Sequence, residues 1–589
     1  MMNEDQVNDI IKRWRKTPEE DLKEEDYHQF KNIGCACLTQ GNSAQLLKFL
    51  KDERNQGIVK SMGCVLLSPL VCEIIKNKNC DHCQTAVTHL TRICNPKELL
   101  HSLLELVDDT DPGAISETIL TLTPHLQTVV LRLDEGKAAS VGLVLSALQR
   151  QLSRLPVPYT RQQEEADEYG LCRCCAALAA FTNPFTESLK RENGNCVNTA
   201  EDEELRAELL KFCMRSLREP LLDAELRGDR KSPLWLFATE IMVTLPTIQE
   251  PFSELLFFNS LKKSPLMDIS QSKESRACLA YLLFVQLINI ESFPAVFSPV
   301  FVLQCNMEYI NEMLSSKKES HLRKGLALYE KSLEGVQDNS LPVSLLELRS
   351  FYSVPQNLRH ILSDCPMKHL REKGLQVFQL FINKLDAEAK HKFFRCMLKT
   401  SNHPGIEGYI VKNIRNEVES SMKPDNGNKW FLGAEFVSLL GLALCLPQGP
   451  ETDLVHNMDK IMESLNLLRY LLLKEKELRS IADVWEELCR IKDEYLKMLR
   501  VCISISRGYY SAELKALRED QKIKAKEARA AARAARLVQK ITVKHENASD
   551  MSPEAQQQVL QSALVTFDLM ESLIVRIEEI TEENLKILN

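Results

Sequence analysis

The feature that most constrains this chain is the near-unbroken recurrence of apolar residues at helical spacing. Ile58, Met62, Val65 and Leu66 fall at i, i+4, i+7 and i+8; Leu99, Leu103 and Leu106 at i, i+4 and i+7; and Leu375, Phe378, Ile382 and Leu385 continue the pattern downstream. Residues three or four apart share one face of an α-helix, so each segment carries an apolar stripe that must be buried against a neighbour. With 20 glycines and 23 prolines in 589 residues, turn formers are too few to connect many strands. The expectation is an all-α protein.

Local signals pair these helices. In Asn95-Pro96-Lys97-Glu98 the Asn side chain accepts from the first amides, Pro fills a position with a spare donor, and Glu reaches back to the cap, which predicts a helix over Pro96–Val107. A turn at Asp108 to Gly113 and a second helix from about Ile115, with Ile119 and Leu122 on one face, complete a hairpin. Further breaks fall at Leu155-Pro156-Val157-Pro158, Asn193-Gly194-Asn195, Pro424 to Asn428 and Pro447 to Pro450, and the polar, acidic tract Arg191 to Glu204 reads as a mobile insertion. The chain exceeds what one core supports and shows no strict period, so degenerate pairs of about 40 residues predict a HEAT-like or armadillo-like helical repeat solenoid. The expected division is N-terminal repeats 1–190, middle repeats 205–395, C-terminal repeats 396–520, a basic helix and linker 521–552, and a C-terminal helix 553–589 packed on the last repeats.

Charge and cysteine usage narrow the function classes. The 74 basic and 82 acidic residues give a net charge of -8, which opposes broad binding to phosphate backbones. One run departs from this: Lys522, Lys524, Lys526, Arg529, Arg533, Arg536 and Lys540 face only Glu527, reading as a solvated helix, a nuclear-import or nucleic-acid patch, or a dock for an acidic partner. No aromatic residue interleaves it, as single-strand binding requires, so nucleic acid is not expected as a partner. Ile541 to Ser552 reads as linker, and Pro553 opens a final amphipathic helix with Leu560, Phe567 and Ile574 seven apart. The 19 cysteines lack the density of a secreted scaffold and imply reduced thiols. Met1 to Pro18 has no apolar run after its basic residues, and stretches such as Ala280 to Ile288 and Leu465 to Leu473 fall short of a bilayer span, so a cytoplasmic monomer without membrane contact is expected.

Catalytic templates are missing from the sequence: it has no phosphate-binding glycine loop, no dinucleotide fingerprint, no nucleophile elbow and no His-Glu-x-x-His, so neither an enzyme nor a cofactor is expected. Cys80-x2-Cys83-x5-His89-x4-Cys94 approaches zinc-knuckle spacing, but Val87, Leu90 and Ile93 thread a helical stripe through it, which favours buried or surface thiols over a metal. Cys172, Cys174 and Cys175 are read as core packing.

The surface candidates lie late in the chain. After Asn402 and His403, Ile406, Ile410 and Ile414 form a stripe for burial, so Lys412, Asn413, Arg415 and Asn416 are expected to face elsewhere, either merely solvated or as a contact surface. Lys429-Trp430 adds a tryptophan just after a turn, which is either a binding anchor or a core residue.

At these residues the chain resembles the glomulin family. The matching words are Cys94-Asn95-Pro96-Lys97-Glu98-Leu99-Leu100, Leu155-Pro156-Val157-Pro158-Tyr159, Asp167-Glu168-Tyr169-Gly170-Leu171-Cys172, Thr400-Ser401-Asn402-His403, Asn428-Lys429-Trp430-Phe431, Ser464-Leu465-Asn466-Leu467-Leu468-Arg469-Tyr470 and Thr566-Phe567-Asp568-Leu569, in order across most of the sequence. The resemblance implies a HEAT-like inhibitor of cullin-RING ubiquitin ligases whose C-terminal half binds the RING-box subunit, with its cullin, and masks the surface for the ubiquitin-conjugating enzyme. It also implies association with FK506-binding proteins and a role in vascular development. On that basis Asn402, His403, Lys412, Arg415, Asn416, Lys429 and Trp430 are the expected RING contacts. The alternative is a HEAT-repeat adaptor that bridges signalling proteins without inhibiting them. The Ala- and Arg-rich run from Lys522 to Lys540 departs from the family pattern.

Overall fold

A computed structural model describes residues 4–77, 80–192, 199–226, 230–258, 273–423, 428–479, 482–535 and 553–588. The described residues are overwhelmingly α-helical, and their only β-type pairing is an isolated bridge between Leu341 and Leu385. They form two compact units, Met1–Gly335 and Val336–Asn589, a division that falls inside the stretch taken from sequence as middle repeats.

In the first unit the predicted hairpin is present. The helix Asp81–Ile93 (α1) is followed by Pro96–Asp108 (α2), where Asn95 Oδ1 accepts from the Lys97 amide at 3.0 Å, and then by Ile115–Leu131 (α3). Leu99 and Leu103 are fully buried, as are Leu122, Leu126 and Val129 on α3, so the stripes that share a face meet across the hairpin. Lys137–Leu152 (α4) and Leu171–Glu192 (α5) continue the array. Cys172, Cys174 and Cys175 are buried in α5, as their core reading requires.

The acidic end of the supposed insertion Arg191 to Glu204 is a helix start: Thr199 caps Ala200–Ser216 (α6), accepting from the Asp202 amide at 3.2 Å while Asp202 reaches back to the cap, and Glu201, Asp202 and Glu203 occupy the first turn. Acids there complement the helix dipole. Asn193-Gly194-Asn195 lies outside the described residues. Pro299–Leu314 (α7) and Glu319–Glu334 (α8) close this unit as another tightly packed pair.

The second unit stacks Lys368–Lys384 (α9), Ala387–Thr400 (α10), Pro404–Ser421 (α11), Ala434–Ala443 (α12) and Met458–Leu473 (α13). A single helix, Ala482–Ala535 (α14), then runs for 54 residues, roughly 80 Å at helical rise. Its first half packs on α12, and Pro553–Leu588 (α15) lies against both α14 and α13 with Phe567 and Ile574 fully buried and Leu560 half-buried. The basic segment is therefore the distal part of α14 and not a separate helix. Lys522, Lys524, Lys526 and Arg529 are exposed on it, whereas Arg536, Lys540, the segment 541–552 and most of the break Pro424 to Asn428 lie outside the described residues.

Two stretches, 53–76 and 554–583, are long and apolar enough to cross a membrane by length and composition, although the sequence stripes suggest no span. In the first, Ile58, Val59, Met62, Leu66, Leu67 and Leu70 are core residues. In the second, one face packs on α13 and α14 while Asp568 and Glu571 pair with Arg507 at 2.8 and 2.7 Å.

Candidate functional site

The candidate surface is built on α11. Pro404 occupies its first position and His403 caps it, its Nδ1 accepting from the Ile406 amide at 3.4 Å. Ile406, Ile410, Val411, Ile414 and Val418 are buried, which fixes the rotation of the helix. Against α13 the approach is close enough that a Cβ on Gly408 would lie 2.8 Å from the Asp459 carbonyl oxygen. Beside that contact, Glu407 and Lys460 form an ion pair at 2.7 Å with side chains 8% and 4% exposed. The α11–α13 seam is thus registered by a glycine and a buried charge pair.

Burial of one face leaves Lys412 and Asn416 exposed on the other, with Arg415 half-buried and 3.9 Å from Glu463 of α13. These three share a face at i, i+3 and i+4. Asn413, grouped with them by sequence, points inward: its side chain is 4% exposed, accepts from Gln379 Nε2 at 2.9 Å and donates to the Tyr409 carbonyl at 2.9 Å. A residue next to Lys412 on the helix is turned by about 100° and so reaches a different neighbour.

Near the other end of α11, Asn428 Oδ1 accepts from the Trp430 amide at 2.9 Å and starts the short helix Lys429–Leu432. Phe431, and not Trp430, fills the core there, fully buried and packed on Phe394. Trp430 is half-buried, its ring 5.5 Å from that of His391, with the exposed Lys429 ammonium 5.7 Å from its centroid. Burial lowers the pKa of His391 against the opposing effect of the Glu435 carbonyl, which lies 3.0 Å from its Nε2 and holds the ring in place under Trp430.

Sequence reasoning missed a third component. Leu375, counted in an apolar stripe, is 39% exposed and edges a notch of about 260 Å³ with Leu362, Phe378, His403, Ile406 and Tyr409. Its size suits one large side chain. Asn402 and His403 are exposed at this notch end, and Lys412, Arg415 and Asn416 follow along the same helix, about 18 Å from His403 to Arg415 at helical rise. A second missed feature is the exposed stripe Met498, Val501, Ile505 and Tyr509 on α14. Periodicity identifies such a stripe but not whether anything covers it.

No group of three or more metal-ligating side chains converges among the described residues. In the zinc-like segment, His89 Nε2 is 2.9 Å from the Leu50 carbonyl and Cys94 Sγ donates to the Val59 carbonyl at 3.2 Å, so these two side chains are engaged by backbone at separate places.

Cations and amides exposed along α11, and a half-exposed tryptophan on the short helix that follows it, lie on packed helical pairs, the organisation of a helical-repeat protein. Residues 2–563 match the model of the family described as "Uncharacterised protein family, YAP/Alf4/glomulin". The chain is 43% identical over 593 aligned positions to human glomulin, covering 98% of this chain and 97% of that protein, and 42% identical over 592 positions to mouse glomulin with the same coverage. It belongs to the YAP/Alf4/glomulin family. A solved circular tandem repeat protein aligns over 96% of this chain and 92% of its own at 12% identity, with a TM-score of 0.13, which carries no argument about fold or function.

Proposed function

We propose that this chain is a non-catalytic, protein-binding inhibitor of cullin-RING ubiquitin ligases. In this reading it binds the RING-box subunit, with its cullin, and covers the surface that receives the ubiquitin-conjugating enzyme. The observation that carries the proposal is α11 itself, which has an apolar notch at its His403 end and exposed Lys412 and Asn416 with half-buried Arg415 further along it, and is followed in the chain by the Lys429–Trp430 shelf. A conjugating enzyme docks on a RING through a shallow apolar groove, so a competitor needs an anchoring contact, a polar rim and comparable area. A standard interface uses about 800 Å² per partner, and a stack of packed helices supplies it with little ordering on binding. Inhibition is steric and needs no cofactor. The proposal places the protein in the cytoplasm as a monomer, with FK506-binding proteins as further partners and vascular development as its setting.

The second reading is a non-inhibitory adaptor, favoured by the exposed stripe Met498–Val501–Ile505–Tyr509, which supplies another surface in the same unit. The first test is the Lys412→Ala/Arg415→Ala double variant. Its affinity for a purified RING-box–cullin complex is expected to fall by about tenfold or more, with an unchanged melting temperature. Unchanged affinity would remove these two residues from the contact.

A further inference from the structure

The Cys80-x-x-Cys83 segment has no part in the proposed surface, yet it brings two thiols together. Cys80 immediately precedes α1 and is half-exposed, while Cys83 lies in the first turn and is fully buried. The amides of Cys83 and Gln84 donate to the Cys80 carbonyl at 3.0 and 3.2 Å, which fixes Cys80 relative to the turn. In that geometry the two Sγ atoms are 3.0 Å apart, inside van der Waals contact, and closing by about 1 Å would form a disulfide.

We propose that Cys80 and Cys83 form a thiol–disulfide modification site that exchanges with a small-molecule disulfide of the glutathione class. Cys80, the accessible sulfur, attacks one sulfur of glutathione disulfide as the thiolate and releases one glutathione thiolate, leaving a mixed disulfide on Cys80. Cys83 then gives its proton to solvent and its sulfur attacks Cys80 Sγ, expelling the second glutathione. Two protein thiols are oxidised by two electrons and one glutathione disulfide is reduced to two thiols. Burial, then the neighbouring Cys80 sulfur, pushes the Cys83 thiol up to about 12, so Cys83 is the resolving and not the attacking residue. The part of that rise owed to a Cys80 thiolate disappears once Cys80 carries glutathione. Cys94, which neighbours Cys64, is fully buried with its thiol donated to the Val59 carbonyl, while Cys72 and Cys445 are exposed.

The test uses the full chain, glutathione disulfide as the probe, alkylation with N-ethylmaleimide and mass spectrometry of tryptic peptide 79–92, in which Cys80 and Cys83 are the only cysteines. The expected result is a peptide lighter by two hydrogens that takes up no alkylating agent until reduced. In Cys83→Ser the peptide should instead retain glutathione on Cys80, and in Cys80→Ser it should carry neither glutathione nor a bridge, with circular dichroism confirming the fold of both variants. Two alkylations after oxidation of the wild type, a stable glutathione adduct on Cys80 without bridging, or a bridge from Cys80 to another cysteine would each overturn the proposal.

Discussion

Replacing Lys460 by Met should loosen the α11–α13 seam far more than replacing both members of its ion pair. Lys460 Nζ lies 2.7 Å from Glu407 Oε2, and the two side chains are 4% and 8% exposed, so water cannot readily substitute for either partner. Taking one charge away strands the other in a medium that solvates it poorly, at about 3–5 kcal/mol. Met has nearly the reach of Lys, so little of this loss is a cavity. The Glu407→Leu/Lys460→Met double variant removes both charges together and should fall within about 1 kcal/mol of wild type, because the desolvation of both groups disappears with their attraction. Hydrogen exchange read peptide by peptide over 404–421 and 458–473 measures the effect locally. The single variant should accelerate exchange in both helices by roughly 10² to 5 × 10³-fold, at 1.36 kcal/mol per decade, and the double variant by less than about tenfold. A single variant that exchanges like wild type would refute the claim that this pair is sealed from water, and a double variant as loose as the single would refute the claim that the stranded charge is the cause.

Other consequences follow from individual side chains. Trp430→Ala should weaken RING-box binding by about 2 kcal/mol in calorimetry while the melting temperature holds, whereas Phe431→Ala, which empties a fully buried site, should lower unfolding free energy by about 3–5 kcal/mol. In the first unit, burial raises the pKa of Asp223, but hydrogen bonds from His321 at 2.7 Å and Lys318 at 2.9 Å outweigh it and hold the carboxyl at about 2. A folded pKa below the ordinary value stabilises the protein above about pH 4, and that contribution is lost as pH falls through about 2. The stability difference between wild type and Asp223→Asn, from urea titrations, should therefore shrink by up to about 2 kcal/mol between pH 5 and pH 2, and a constant difference would count against the assignment.

What was legible in the sequence is what short-range chemistry determines. Asn95-Pro96-x-Glu98 signalled a helix start because cap, proline and acid all act within one turn, and the observed helix extends one residue beyond the expected Val107. Thr199-x-x-Asp202 carried the same kind of signal, masked by its acidity, which here serves the helix dipole. Contact partners were not legible. Leu375 and the stripe Met498–Val501–Ile505–Tyr509 have the period of buried residues and are exposed, because a period specifies a face without specifying what packs on it. Asn413 was misgrouped for the related reason that its fate depends on Gln379, a residue of α9 that sequence does not place beside it. For Trp430 the sequence leaves a binding anchor and a core residue both open, and only the placement of Phe394 and His391 decides that Phe431 is the ring that is sealed.

The central claim is that this family member masks a RING rather than merely holding it. A reconstituted cullin-RING complex with its conjugating enzyme, titrated with this protein, measures that most directly when RING-box affinity is determined in the same buffer. The account predicts that ubiquitin-chain synthesis falls in proportion to occupancy, and that Lys412→Ala/Arg415→Ala shifts binding and inhibition by the same factor. Saturating binding with undiminished chain synthesis would contradict it and leave the adaptor reading in its place.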